Sequence, residues 1–208
     1  MTHASGYRLV LASASPARLG LLRAAGFDPS VQVSGVDESV VVTSDPAELS
    51  LSLGRLKAEA VAATLPAEAG VLVLGCDSVL AFDGEILGKP RDADEATRRW
   101  RAMRGRSGVL HTGHHLIELS SDGGAARAVG ESAGTVVHFA NVSDSEIAAY
   151  VASGEPLHVA GSFTIDGLGG AFVERIEGDH GNVVGLSLPL LRRLLRTFGV
   201  SVAQLWKQ

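Results

Sequence analysis

The run Val71-Leu72-Val73-Leu74 has no polar face. A strand made only of β-branched and aliphatic residues is covered on both sides, so the chain must supply helices for both faces of a sheet. Strand and helix signals do alternate along the whole length. Arg8 to Ala12 is a short apolar run ending in Ser13-Ala14-Ser15-Pro16. Ser15 suits an N-cap and Pro16 the first helical position, with Leu19, Leu22 and Arg23 following at helical spacing until Gly26. A second short strand is expected at about Ser30 to Val33. A second helix opens at Asp45-Pro46, with Glu48 set for a capping box, and carries Leu49, Leu53, Leu56 and Ala60 on one stripe up to the boundary at Pro66.

The apolar strand runs into Gly75-Cys76-Asp77-Ser78, and Val79 to Phe82 and Glu85 to Leu87 flank Asp83-Gly84, a strong hairpin signal. Asp92 with Glu95 caps a helix bearing Ala96, Trp100 and Met103 that stops at Gly105. Val109 to Leu119 and Arg127 to Phe139 read as strands around the turn Asp122-Gly123-Gly124. Ser143 with Glu146 caps a helix through Tyr150 to Gly154, and a last helix spans Pro189 to Gly199. Hairpins combined with strand–helix alternation give an α/β fold with a mixed sheet, one unit over residues 1–208.

Composition narrows the function. The 208 residues carry 18 Lys+Arg against 23 Asp+Glu, a formal net charge of -5. Area scaling gives a folded surface of ~9,000 Å² against ~31,000 Å² unfolded, so roughly 70% is buried and no disulfide or structural metal is needed. Hydrophobic residues at 46% and charged ones at 20% exclude a disordered chain. The mild acidity argues against a nucleic-acid polymer as partner but leaves room for a basic pocket that takes a small polyanion. A single cysteine, Cys76, allows no intrachain disulfide and points to a reducing cytoplasm. No apolar run approaches the ~18 residues of a membrane span, and Leu9 to Ala12 is too short for a signal segment of about 7–15 residues.

Four polar clusters fall at element ends. Ser13, Ser15 and Arg18 surround an expected helix N-terminus, where free backbone N–H groups and the helix dipole favour an anion. The same residues also read as an ordinary helix start. Asp37-Glu38 and Asp77-Ser78 form the second and third clusters. Asp77 follows the buried strand, so its carboxylate is expected at a sheet edge or crevice, where open α/β sheets bind ligands. Two carboxylates drawn together there suit Mg²⁺, which takes one or two of them with substrate phosphate oxygens; solvated loop acids are the plainer reading. Lys89 in Gly88-Lys89-Pro90 and Lys57 on the second helix are candidate cations or surface solubilisers. His111, His114 and His115 do not make a zinc site, because His114 faces away from the other two on a strand. Cys76, beside Asp77, reads as a buried thiol and not as a nucleophile.

Several blocks, in order, resemble the Maf family. They are Leu9-Val10-Leu11-Ala12-Ser13-Ala14-Ser15-Pro16-Ala17-Arg18, Leu74-Gly75-Cys76-Asp77-Ser78-Val79, Gly84-Glu85-Ile86-Leu87-Gly88-Lys89-Pro90 and Tyr150-Val151-Ala152-Ser153-Gly154-Glu155-Pro156, then Phe172 to Asp179 and Asn182-Val183-Val184-Gly185-Leu186. They cover most of the chain from Leu9 to about Leu195. Cys76-Asp77-Ser78 and Asp166-Gly167-Leu168-Gly169-Gly170 resemble the actinobacterial branch. The resemblance implies an elongated two-lobed α/β fold, with a central mixed twisted sheet flanked by helices and a nucleotide cleft. It implies a nucleoside triphosphate pyrophosphatase that cleaves between the α and β phosphates with Mg²⁺ or Mn²⁺, and in many members a homodimer.

Asp77 falls on the family's proposed proton acceptor, and Ser13, Ser15, Arg18, Glu38, Lys57 and Lys89 fall on phosphate or metal positions, with Glu38 and Asp77 as the metal pair. Ser78 and Asp166 fall on or beside positions tied to the base. Ala17 replaces the first of two usual arginines, Asp166 stands where pyrimidine-preferring members carry Gln, and Asp77-Ser78 replaces Asp-Thr, so base preference does not carry over. The other reading is a nucleotide-binding regulator of septum formation that acts through protein contacts. It needs Arg18 and Lys89 but no positioned Asp77.

Overall fold

Strand β1 (Arg8–Ala12) is buried from Leu9 onward and leads into helix α1 (Pro16–Ala24) in the computed structural model, which describes residues 6–122 and 124–207. Gly123 of the expected Asp122-Gly123-Gly124 turn lies outside the described residues. Ser15 caps α1 by accepting from the Arg18 N–H, and Gly26 follows the helix at φ 89°, a conformation that favours glycine. Strand β2 is shorter than expected, Ser30–Val31.

Helix α2 (Pro46–Ala62) starts at Asp45, whose side chain accepts from the Ala47 and Glu48 N–H groups. The expected capping box does not close. Glu48 accepts instead from the Thr43 hydroxyl at 2.7 Å, and Thr43 Oγ1 takes the Asp45 N–H at 3.2 Å, so a threonine bridges the two halves of the box. The face of α2 on the sheet also departs from the leucine stripe. Ser50, Leu53, Gly54, Ala58 and Val61 are buried, whereas Leu49, Leu56 and Ala60 are only half-buried. The small residues win because they let main chain meet main chain. A Cβ on Gly54 would lie 3.2 Å from the Gly113 carbonyl, one on Gly75 would lie 2.7 Å from the Ala58 nitrogen, and one on Gly113 would overlap the Ser50 main chain.

Strand β3 corrects a second expectation. It does not stop at Leu74 but runs from Val71 to Phe82, so Asp77 is mid-strand. The composition of Gly75-Cys76-Asp77-Ser78 is turn-like, but β5 (Ser107–Leu119) pairs with β3 unbroken from Leu72↔Glu118 to Ala81↔Val109 and holds the segment extended. The other edge of β3 is interrupted. Parallel β1 pairs with it only as far as Ala12↔Gly75, and antiparallel β4 (Glu85–Leu87) only from Leu80↔Leu87 to Phe82↔Glu85. Cys76 to Val79 therefore have no strand neighbour on that side among the described residues. This notch is where Asp77 and Ser78 sit.

Strands β6 (Ala125–Phe139) and β7 (Val173–Glu177) complete a seven-stranded mixed sheet, in the order β2-β1-β3-β5-β6-β7 with β4 on β3. The long strands pass through separate cores. Leu9, Leu11, Leu72 and Leu74 pack with Leu22 of α1 and with Leu190, Leu191, Leu194 and Leu195 of α6 (Leu188–Thr197). Val71, Val73 and Ile117 pack on the other face with Ala58 and Val61 of α2. Beyond the notch, Leu80, Phe82 and Leu110 join helices α3 (Ala93–Met103) and α4 (Asp144–Ala152) around fully buried Trp100, which meets Phe139, Tyr150 and Phe172 edge to face at 5.5–5.7 Å. The short helix α5 (His180–Val184) and β7 carry no clear periodic signal. No described helix is long and apolar enough to cross a membrane.

The seating of α2 has a direct consequence for stability. Gly113→Ala forces the helix off β5 and should destabilise the protein by about 1–3 kcal/mol, the usual range for overpacking. Gly20, exposed on α1 with nothing within 4 Å of an added Cβ, gives the opposite sign. Gly20→Ala should stabilise by about 0.5–1 kcal/mol through helix propensity. Urea unfolding measures both, and a Gly113→Ala midpoint equal to the parent's would contradict the main-chain contact.

Candidate active site

The turn from β1 to α1 builds one wall of the notch. Ser13 Oγ accepts from the Ser15 N–H at 3.1 Å and from Arg18 Nη1 at 3.2 Å. Arg18 Nε donates to the Gly185 carbonyl at 2.7 Å, and Nη2 to Ser78 Oγ at 3.0 Å. A guanidinium has five N–H donors, and these three bonds leave one hydrogen on each terminal nitrogen without an acceptor among the described residues. The first-turn N–H groups of α1 lie beside it, with the positive end of the helix dipole. Arg18 is thus held rigidly while still able to take an anion.

The other wall comes from α2. Side chains alternate along a strand, so Asp77 and Ser78 point to opposite faces of β3 at the same notch. Ser78 meets Arg18, and Asp77 meets Lys57. Lys57 Nζ lies 2.5 Å from Asp77 Oδ1 and 2.8 Å from Glu38 Oε1. The Lys57 and Asp77 side chains are only 13% and 12% exposed, whereas Glu38 is 52% exposed. Glu38 comes from a 3₁₀ turn (Glu38–Val40) capped by Asp37, which accepts from both the hydroxyl and the N–H of Ser39. Those bonds hold the Asp37 carboxyl below its usual range and commit it to the turn. Of the Asp37-Glu38 pair, Glu38 alone faces the site.

The structure does not join every expected residue to this cluster. Lys89 is exposed just past β4, with no ion pair among the described residues; the Gly88 carbonyl beside it is fixed by Arg99 Nη1 at 2.6 Å. Asp166 is exposed in the loop before the 3₁₀ turn Leu168–Phe172. Glu155 organises that loop, accepting from the Leu168 and Gly169 N–H groups at 3.0 Å each, from the Tyr150 hydroxyl at 3.1 Å and from the Thr164 hydroxyl. Burial alone would raise the Glu155 carboxyl, but these four donors hold it below the usual range. A Cβ on Gly167 would lie 2.6 Å from Glu155 Oε2, so the loop closes only around glycine. Glu155 carries a sequence signal only as the acid between a glycine and a proline after a helix.

Cys76 is fully buried, and burial pushes its thiol up to about 12, so it is inert as a nucleophile, as its position beside Asp77 predicts. His114 Nε2 accepts the Ser187 N–H at 2.8 Å, which places the ring proton on Nδ1, 3.0 Å from the Thr112 carbonyl. His115 lies on the other face, where its ring and Leu51 of α2 both border Gly130. Among the described residues no three His, Cys, Asp or Glu side chains gather as a metal site. Glu38 and Asp77 are the carboxylates that could hold a divalent cation together with substrate phosphate oxygens, and Lys57 bridges them here.

With Arg18 and Lys57 at its walls the notch has cations that suit a small polyanion, and the sequence places the chain in a family. The chain belongs to the Maf family: the model for "Maf-like protein" matches residues 8–198. It is 60% identical to a nucleoside triphosphate pyrophosphatase of Streptomyces coelicolor over 206 residues, 99% of this chain and 98% of that one. A protein of the same name from Salinispora tropica is 63% identical over 203 residues, 97% of this chain and 88% of its own. One from Nostoc punctiforme is 52% identical over 198 residues, 95% and 97% of the two chains.

His114 gives the site's surroundings a pH dependence. Burial pushes its imidazolium pKa down to about 4 from the ordinary 6.5. Between these values the unfolded chain takes up a proton that the folded ring refuses, so stability is full above pH 6.5 and falls as pH drops toward 4. The loss is roughly 3 kcal/mol over that window. Urea unfolding at pH 7 and pH 4.5 should show it, and His114→Gln should remove this component; an unchanged pH slope in the variant would assign the loss elsewhere.

Proposed function

We propose that this chain is a nucleoside triphosphate pyrophosphatase, hydrolysing the α–β phosphoanhydride of ribo- and deoxyribonucleoside triphosphates to a monophosphate and pyrophosphate. The observation that carries the reading is the notch itself, where Arg18 on one face of β3 and the Lys57–Asp77–Glu38 group on the other reach one gap in the sheet. A triphosphate lying through that gap meets cations on both sides. The names of the relatives support the same chemistry. A regulator needs only to bind nucleotide, and the buried Asp77–Lys57 pair favours the enzyme.

Each residue then has a task. Arg18, Ser13, Ser15 and the α1 N-terminus bind and orient phosphate oxygens. Asp77 Oδ1 is held by Lys57, while Oδ2 has no protein donor among the described residues and is free to orient water and accept its proton. Lys57, with Lys89 at the end of β4, stabilises charge that develops on the departing pyrophosphate. Glu38 and Asp77 would hold Mg²⁺ or Mn²⁺, which would neutralise phosphate charge and acidify a bound water. Asp166, on the Glu155-held loop, is a base-side residue whose carboxylate accepts hydrogen bonds where an amide would also donate. The lone buried Cys76 suits a reducing cytoplasm, and the cores on either side of the notch work as one unit.

Product analysis tests this directly. ³¹P NMR of a reaction with Mg²⁺ should show monophosphate and pyrophosphate, and EDTA should stop turnover; diphosphate with orthophosphate would reject α–β cleavage. Asp77→Asn keeps the shape but not the base, and should lower kcat at least about a hundredfold, on the order of 2.7 kcal/mol. Lys57 keeps Glu38 as a partner, so the variant should still fold with a lowered melting point, and a non-hydrolysable nucleotide should still bind through Arg18. Near-normal kcat in Asp77→Asn would remove Asp77 from the chemistry.

A further inference from the structure

Two serines touch the Arg18 guanidinium, and their protons separate them. A serine hydroxyl has one hydrogen to donate and two lone pairs with which to accept. Ser13 Oγ accepts from the Ser15 N–H and from Arg18 Nη1, so both lone pairs are taken and its hydrogen has no acceptor among the described residues. Ser78 is the reverse. Its Oγ lies 2.9 Å from Thr112 Oγ1, and Thr112 Oγ1 lies 2.9 Å from the main-chain carbonyl of Asn182. A carbonyl can only accept, so Thr112 commits its one hydrogen to Asn182 and must accept from Ser78. The Ser78 hydrogen therefore points inward to Thr112, and Ser78 offers only lone pairs to the notch, one of them occupied by Arg18 Nη2.

We propose that Ser78 and Thr112 are positioning residues that fix Arg18, and that Ser78 is not a donor to the substrate. This revises the expectation of Ser78 as a substrate ligand and rests on the triphosphate reading of the notch.

The anchor at the far end of the relay is well held. Thr112 and Asn182 are fully buried. Asn182 Nδ2 reaches the Leu110 carbonyl at 3.2 Å, the Ala133 carbonyl at 3.1 Å and Thr135 Oγ1 at 3.1 Å, which ties α5 to β5 and β6. The Asn182 carbonyl also takes the Gly185 N–H at 3.1 Å, and the Gly185 carbonyl takes Arg18 Nε. Both ends of the guanidinium thus return to one turn, directly through Gly185 and through Ser78 and Thr112 to Asn182. Gly185 adopts φ 123°, and a Cβ there would lie 3.1 Å from Arg18 Nε, so the turn is shaped around the arginine. A long side chain that would otherwise lose rotamer freedom on binding is ordered beforehand.

The test is a double-mutant cycle against Arg18, read as kcat/KM and as affinity for a non-hydrolysable nucleoside triphosphate. Thr112→Val keeps the shape of the side chain and removes the acceptor; Ser78→Ala removes the link itself. Each should lower kcat/KM about tenfold, mainly through KM, as expected for a misplaced charged donor. Thr112→Ser should restore most of the loss. In an Arg18→Ala background neither Thr112→Val nor Ser78→Ala should have any further effect, whereas Ser13→Ala should still weaken binding. Thermal melts identify a variant that fails to fold, and the part-buried Ser78→Ala carries the cycle if Thr112→Val does so. Losses from Ser78→Ala that add fully to those of Arg18→Ala would overturn the proposal alone. Arg18→Ala with unchanged kcat/KM and affinity would overturn the triphosphate reading, and the proposal with it.

Discussion

Main-chain contact between helix α2 and the sheet sets the position of everything that follows. Gly54, Gly75 and Gly113 remove the side chains that would otherwise separate helix from strand, and Ser50 and Ala58 complete the seam. Lys57 lies within this seam, one turn after Gly54, and its ammonium reaches Asp77 two residues beyond Gly75. A leucine-faced helix would stand farther off and leave Asp77 a nearly buried carboxylate without a cation. Such a charge is costly unless paired. The glycine seam, the lysine and the aspartate form one device.

The second constraint is the interrupted edge of β3. An intact neighbour along Cys76–Val79 would cover these backbone groups and separate the two faces of the sheet. Because β1 ends opposite Gly75 and β4 ends opposite Leu80, side chains from both faces reach one gap. Asp77 and Ser78 stand on a long strand and Arg18 and Lys57 on capped helices, Ser13 and Glu38 come from short turns, and Arg18 is tied on three sides before any ligand arrives. The cores above and below the gap are built on the same strands, β3 and β5, so the site lies where the packing of one gives way to that of the other.

Local chemistry made much of this legible. Ser15-Pro16, Asp92 and the Ser143–Glu146 box start helices where capping rules put them. The Asp83-Gly84 turn has both residues at positive φ, as a two-residue hairpin demands. Long-range effects were less legible. The apolar run breaks off at Gly75-Cys76-Asp77-Ser78 in the sequence, but β5 carries the strand through it; the burial face of α2 is decided by Gly54 together with glycines on β3 and β5, and Glu48 prefers Thr43 to its own cap. The Arg18–Ser78–Thr112–Asn182 relay joins residues far apart in sequence: Arg18 and Ser78 stand out as candidates on their own, but nothing links them to Thr112 and Asn182 until the sheet brings the four together. Polar clusters at element ends brought out Ser13, Arg18, Glu38, Lys57, Asp77 and Lys89, and the resemblance added roles for them and for Asp166; in the structure the first five line the notch, with Lys89 and Asp166 standing clear of direct contact.

On this reading a nucleoside triphosphate lies through the gap in β3. A crystal structure with Mg²⁺ and a triphosphate made non-hydrolysable at the α–β bridge tests it most directly. Phosphate oxygens should be bound by the free Arg18 hydrogens and the α1 N-terminus on one face, and on the other by Lys57 and by Mg²⁺ held on the Glu38–Asp77 pair. A nucleotide bound elsewhere, with Arg18 and Lys57 in their present contacts and the Cys76–Val79 edge untouched, would contradict it.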